Sequence, residues 1–144
     1  MQSIKERFSS ALHHSARTWR LGLDRRLKDL GLGQAGWMAV AILAKADGLL
    51  SQSELADRLG VEGATMVAMI DRLVKRGLVE RQPCPKDRRI KRVALTEDGW
   101  ALYATVKAEA DAFRREILKK VDEEALLKAT ELLERLREVI EAAK

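Results

Sequence analysis

Residues 51–77 read SQSELADRLGVEGATMVAMIDRLVKRG. Ser51 precedes Glu54 by one helical turn, so the serine hydroxyl can accept a first-turn N–H while the glutamate reaches back to the serine N–H. A helix is expected to start here. Leu55 and Leu59 stand one turn apart and face the core, and Ala56 lies on the side where a second helix comes close. Gly60 ends the helix in the positive-φ conformation that glycine tolerates best, and Val61 plugs the turn. A second helix over 62–76 turns Met66, Met69, Ile70 and Leu73 inward at helical spacing, and Gly77 stops it. A small residue in the first helix, a glycine in the turn and an apolar residue after it make the pattern of a helix-turn-helix.

With 144 residues the chain has the length of one domain and can bury a core without disulfides or a structural metal. Its single cysteine, Cys84, has no internal partner. With no charged-then-apolar leader and no long apolar run, a soluble cytoplasmic protein is expected. The net charge is +5, and its distribution carries more information than the total. From Glu62 to Arg92 there are nine Lys/Arg and four Asp/Glu, a net of +5, so the rest of the chain balances. The whole excess therefore sits on the second helix of the motif and the segment after it. A basic excess confined to such an element implies a phosphate footprint, and double-stranded DNA is the partner it suits. A membrane surface would require an amphipathic helix with a bulky apolar face, which this segment lacks.

Outward from the motif, residues 4–30 read as one long helix with Ile4, Phe8, Leu12, Trp19, Leu23, Leu27 and Leu30 in its apolar stripe, ended by Gly31 and Gly33. Residues 34–45 are apolar around most of the circumference, which makes them a central strut. Gly48-Leu49-Leu50 connects the strut to Ser51. After Gly77, residues 78–82 and 90–95 are compatible with strands, and Pro83 to Arg89 between them is expected to form a stiff, exposed, basic loop. A hairpin directly after a helix-turn-helix is the winged variant. Thr96 then caps a helix to about Lys120, in whose first turn Gly99 implies a close approach by another segment. Asp122 caps a last helix with Leu126, Ala129, Leu133, Leu136, Ile140 and Ala143 along a narrow seam of coiled-coil type.

The fold class expected is mainly α with a small β-hairpin wing, a single domain over 1–144. Residues 34–99 form the winged helix-turn-helix lobe, and 1–33 and 100–144 form dimerisation helices. The terminal helices carry more apolar stripe than the core of one chain needs, which points to a closed homodimer. For DNA contact the candidates are Ser51, Thr65, Val67, Ala68, Arg72, Lys75, Arg76, Lys86, Arg88, Arg89 and Lys91. Thr65 and the small apolar residues Ala64, Val67 and Ala68 face bases, while Arg72, Lys75 and Arg76 are placed for phosphates.

The order of elements, with LADRLGVEGATMVAMIDRLVKRGLVER and DRRIKRVALTEDG, resembles the MarR family of bacterial transcriptional regulators, SlyA-like branch, over essentially the whole chain. Asp71-Arg72-Leu73, Gly77-Leu78-Val79, Asp87-Arg88-Arg89 and Leu95-Thr96 with Gly99 carry the resemblance, together with Trp19-Arg20 and Gly31-Leu32-Gly33-Gln34 with Trp37. The resemblance implies a winged-helix homodimer on an inverted-repeat operator, often a repressor, released by a small phenolic or aromatic carboxylate effector. It implies that Arg89 enters a minor groove, where narrow A·T-rich sequence concentrates negative potential. Either Asp71 or Glu62 is placed to hold that arginine. It also implies an effector site between the dimerisation helices and the DNA-binding lobe, here His14, Trp19, Arg20, Trp37 and Met38. Two positions depart from the family pattern. Ala68 stands where many relatives carry an arginine, the commonest bidentate reader of guanine, and Cys84 stands where aspartate is usual.

No catalytic constellation is recognisable, so no enzyme is expected and no cofactor. His13 and His14 are adjacent and point about 100° apart on a helix, so they do not form a metal-chelating pair. The rival readings are an architectural DNA binder with little sequence preference and a winged-helix module that contacts protein.

Overall fold

The computed structural model of the chain describes residues 1–143. Ser3 starts α1 (Ile4–Arg26) by accepting the Glu6 N–H at 3.1 Å. The helix expected to reach Leu30 ends earlier, because the Leu27 N–H is shared between the carbonyls of Leu23 and Asp24, each at 3.1 Å. Such sharing marks the change from α to 3-10 bonding. A 3-10 turn follows over Lys28–Leu30 and closes at Gly31, while Leu27 itself is buried in the core.

Helix α2 (Gly33–Lys45) buries Trp37, Ala39, Val40 and Leu43 and packs against α1, against the first motif helix and against the sheet, as a strut must. A two-residue strand, β1 (Leu50–Ser51), comes next where a plain connection was expected. Its partner lies some forty residues ahead in the chain. The capping box at the start of α3 (Gln52–Leu59) forms in full: Glu54 N–H donates to Ser51 Oγ and Ser51 N–H to Glu54 Oε1, both at 3.0 Å. Gly60 adopts φ +74°, and its N–H and that of Val61 both reach the Ala56 carbonyl, at 2.8 and 3.1 Å.

Helix α4 (Gly63–Lys75) buries Met66, Met69, Ile70 and Leu73, the stripe read from the sequence. Leu55, Met66, Ile70, Val79 and Val93 are among the largest fully buried side chains, each stabilising by roughly 1.5–3 kcal/mol. The inward stripe therefore positions α4, and its outward residues are free for another task.

Strands β2 (Val79–Cys84) and β3 (Asp87–Leu95) pair antiparallel, and β1 adds to the far side of β3, giving the order β1-β3-β2. The long exposed loop expected from Pro83 to Arg89 is instead mostly strand, with Pro83 paired to Lys91 and only Pro85 and Lys86 left as the turn between the strands. Proline excludes helix but not extended backbone, and an edge strand tolerates its missing N–H.

Helix α5 (Glu97–Leu118) begins against the end of the motif. Thr96 Oγ1 accepts the Gly99 N–H at 3.1 Å and donates to the Gly77 carbonyl at 2.5 Å. The close approach expected at Gly99 is made by backbone: a Cβ there would overlap the Leu78 carbonyl oxygen. Asp122 caps α6 (Glu123–Ala142), accepting the Ala125 N–H at 3.0 Å.

The chain divides into two compact units, Met1–Ala110 and Asp111–Lys144. In the second, Leu126 and Leu136 are half-buried while Leu133 and Ile140 are 42% and 63% exposed. No helix among the described residues is long and apolar enough to cross a membrane. Among the described residues the fold is mostly helical, six α-helices with a small antiparallel sheet, and has the form of a winged helix.

Candidate nucleic-acid interface

With its apolar stripe committed to the core, α4 presents Thr65, Ala68, Arg72 and Lys75 to solvent, one turn after another, flanked by Ala64 and by Val67 at 43% exposure. The face is small and weakly polar toward the N-terminal end of the helix and cationic toward the other. Arg76, expected on phosphates, sits at the C-cap and donates through its Nη2 to the Leu30 carbonyl at 3.0 Å. That bond fastens the end of α4 to the 3-10 turn, and the residue stays exposed.

The wing converges on the start of α3. Pairing of Ser51 with Arg92 places the α3 N-terminus beside β3, and a cleft of about 240 Å³ opens there between Ser51, Gln52 and Ser53 on one side and Arg89, Ile90 and Lys91 on the other. The capping box consumes the N–H groups of Ser51 and Glu54. The positive end of the helix and two cations thus border one concavity, an arrangement suited to an anion.

The wing arginines owe their exposure to a register slip. Between the pairs Pro83–Lys91 and Cys84–Asp87, β3 carries three residues with no counterpart on β2, namely Arg88, Arg89 and Ile90. A bulge of this kind takes side chains out of the ladder and re-aims them. Lys86, Arg88, Arg89 and Lys91 are all exposed, Arg89 with 90% of its side chain in solvent.

Neither Asp71 nor Glu62 holds Arg89, contrary to both alternatives drawn from the sequence. The carboxylate that does so is Asp87: its Oδ1 accepts from the Arg89 backbone N–H at 2.9 Å and from Nε at 3.2 Å, and its Oδ2 accepts from Nη2 at 3.2 Å. The bulge brings the two residues into reach locally, whereas Asp71 is already engaged by Arg81 at 2.6 Å. The Arg89 hydrogen bonds, side chain first and backbone second, hold the Asp87 carboxyl below its ordinary value. Arg89 is thereby pre-aimed while its outer face stays free.

Sequence reasoning passed over Arg81, Gln52 and Ser53, and singled out Asp87 as part of Asp87-Arg88-Arg89 without assigning it the hold on Arg89. Gln52 and Ser53 were legible as the first residues after a serine cap. Arg81 had only a faint signal, a charge in phase with the inward-facing Val79. Arg92 lies opposite Gln82 and Ser51 and carries a buried Nε with no hydrogen-bond partner among the described residues. Cys84 is a half-buried free thiol at the end of β2.

The expected effector residues lie on α1 and α2, which pack together. His14 is exposed, its ring edge-on to His13 at 5.3 Å, and Trp19, Arg20 and Met38 are half-buried. Trp37 is only 5% exposed and its Nε1–H donates to Asp24 Oδ1 at 2.7 Å. Its indole is core, with its donor already used. An apolar cleft of about 190 Å³ lies elsewhere, between Leu43, Leu49, Val93 and Trp100.

A family model described as MarR family matches residues 30–90, which span the strut, the motif and the wing as far as Ile90. Among solved structures, transcriptional regulator PA3341 is 37% identical over 94% of this chain and 98% of its own, with a TM-score of 0.86. Wild-type MarR from E. coli is 25% identical over 89% of this chain and 94% of its own, with a TM-score of 0.77. CouR from Rhodococcus jostii RHA1, solved bound to p-coumaroyl-CoA, shares the fold at 23% identity over 94% and 95%, with a TM-score of 0.78. Sequence, fold and the basic motif face agree, and the chain belongs to the MarR family of DNA-binding transcriptional regulators, proteins that regulate transcription rather than catalyse reactions.

Proposed function

We propose that this chain is a homodimeric, sequence-specific regulator of the SlyA-like type, acting in the cytoplasm as a repressor on an inverted-repeat operator. The observation that carries the reading is the convergence of three features in one lobe: the solvent-facing side of α4, the cleft at the α3 N-terminus and the bulged wing with Arg89 held by Asp87. In this reading Thr65, Val67 and Ala68 meet base edges in the major groove. Arg72 and Lys75 meet phosphates alongside them, a backbone phosphate sits by Ser51 and Lys91, and Arg89 enters the minor groove with Lys86 and Arg88 on its flanks. Residues 34–99 make up that lobe, and 1–33 and 100–144 supply the dimer. Supporting the dimer, Ile4, Phe8 and Leu12 of α1 and Leu133 and Ile140 of α6 are exposed in the single chain. Two copies place two recognition helices in successive major grooves about 34 Å apart.

An effector that binds one disposition of the two lobes better than another shifts the population toward it. A small aromatic carboxylate or phenol suits the Trp19, Arg20 and Met38 neighbourhood, an aromatic surface with one cation. CouR, which has the same fold, was solved bound to p-coumaroyl-CoA.

Selection of genomic fragments by the purified protein at near-physiological salt tests the reading. An enriched inverted repeat with half-sites about one helical turn apart is the expected result. Retention of fragments without a common sequence would replace it with the architectural reading, which the absence of an arginine at Ala68 favours.

A further inference from the structure

Arg81 occupies the third position of β2, opposite the buried Val93 and in phase with Val79, so it projects from the sheet face that packs on the helices. Its side chain is only 28% exposed, and its guanidinium is spent on two other elements. Nε donates to Gln52 Oε1 at 2.5 Å, and Nη2 donates to Asp71 Oδ1 at 2.6 Å and to the Val67 carbonyl at 3.4 Å. Each acceptor lies within the interface described above. Gln52 is the first residue of α3 and lines the cleft beside Arg89. Val67 belongs to the base-facing set, and Asp71 precedes Arg72 on the same helix. One arginine therefore joins the wing strand, the start of α3 and the recognition helix.

We propose that Arg81 is a positioning residue for DNA binding, a latch that fixes the attitude of the wing relative to α4 so that both meet the duplex together. The inference rests on the reading of α4 and the wing as the DNA-contacting elements. A planar guanidinium fixes direction as well as charge, because its N–H groups form a rigid fork that a lysine ammonium does not reproduce. DNA offers its grooves at set distances. Once the helix is seated, the gain from the wing depends on how closely the wing is already aimed.

Two substitutions separate this role from simple electrostatics. Asp71 is 60% exposed, so Asp71→Asn leaves the fold intact while removing a negative charge from a surface that meets phosphates. Electrostatics alone makes that variant bind more tightly; loss of the latch makes it bind less tightly. Arg81→Lys keeps the charge and removes the fork.

The measurement is the affinity of the full chain for duplexes of about 30 base pairs, three turns, drawn from the genomic fragments it retains, at several salt concentrations and alongside thermal midpoints. Both variants are expected to remain folded and to bind about tenfold more weakly, with an unchanged slope of log K against log salt, since no phosphate contact has been removed. Wild-type or tighter binding by Asp71→Asn would overturn the proposal. So would wild-type affinity in Arg81→Lys, which would leave the guanidinium fork without a role. Arg89→Ala and Lys75→Ala serve as controls. If they too bind normally, the interface reading fails and the latch with it; if they bind weakly while Arg81→Lys and Asp71→Asn do not, the latch alone fails.

Discussion

A single hydrogen atom in place of a methyl group decides how α5 meets the motif. Because a Cβ at residue 99 would overlap a backbone oxygen, there is no flexible side chain to yield, and either α5 or the Leu78 peptide must move. Gly99→Ala is expected to destabilise by ~3 kcal/mol and to lower the thermal midpoint by roughly 10 °C at fixed protein concentration, read by circular dichroism. Ser51 acts at the same scale through its cap, and Ser51→Ala is expected to cost about 1 kcal/mol. The Ser51 backbone N–H first, and its hydroxyl second, hold the Glu54 carboxyl below its ordinary value of 4.5. That contribution is complete above the ordinary value and is lost as pH falls through the depressed one. Denaturant titrations at descending pH should therefore show the gap between wild type and Glu54→Ala narrowing below about 4.5. At the wing, Asp87 should titrate below 3.8 by carboxyl NMR in the wild type, and Arg89→Ala should return it toward that value.

At the scale of elements, α4 separates two tasks by face. Its buried stripe holds the helix in place, so changes on the outer face should alter DNA binding and leave stability within about 0.5 kcal/mol. Lys75→Ala is expected to weaken binding to all sequences to a similar degree and to reduce the salt slope by about one for each protomer. An unchanged slope would remove Lys75 from the phosphate contacts. Both helix faces were legible in the sequence, because helical periodicity is written in neighbouring residues. The wing was legible as a hairpin but not in detail. The prolines suggested loop, and the ladder continued through Pro83 because β2 lies at the edge of the sheet, a position that only the strand order reveals.

At the scale of the whole molecule, the proposed dimer would cover the exposed apolar residues of α1 and α6. Replacing Leu133 and Ile140 together by glutamate places like charges on the α6 seam and is expected to give a monomer by light scattering. The monomer should retain the motif but lose most of its operator affinity, because one half-site is then left unread. An undisturbed oligomeric state in that double variant would move the dimer contact off the α6 seam.

What the sequence by itself determined is local: the capping box at Ser51, the turn at Gly60, the inward stripe of α4 and the cap at Asp122. Each depends on residues within a turn or two of one another, so spacing and residue type suffice to specify it. Only the tertiary structure decided that Leu50 and Ser51 join the sheet, that Asp24 takes the Trp37 N–H, that Arg76 turns back to Leu30 and that Arg81 reaches Gln52, 29 residues away in the chain. These pairings have no period to read. A charged side chain finds its partner among whatever acceptors the packed core brings within reach, and Arg81 is brought to Asp71 by the packing of β2 on α4, leaving Asp87 to hold Arg89.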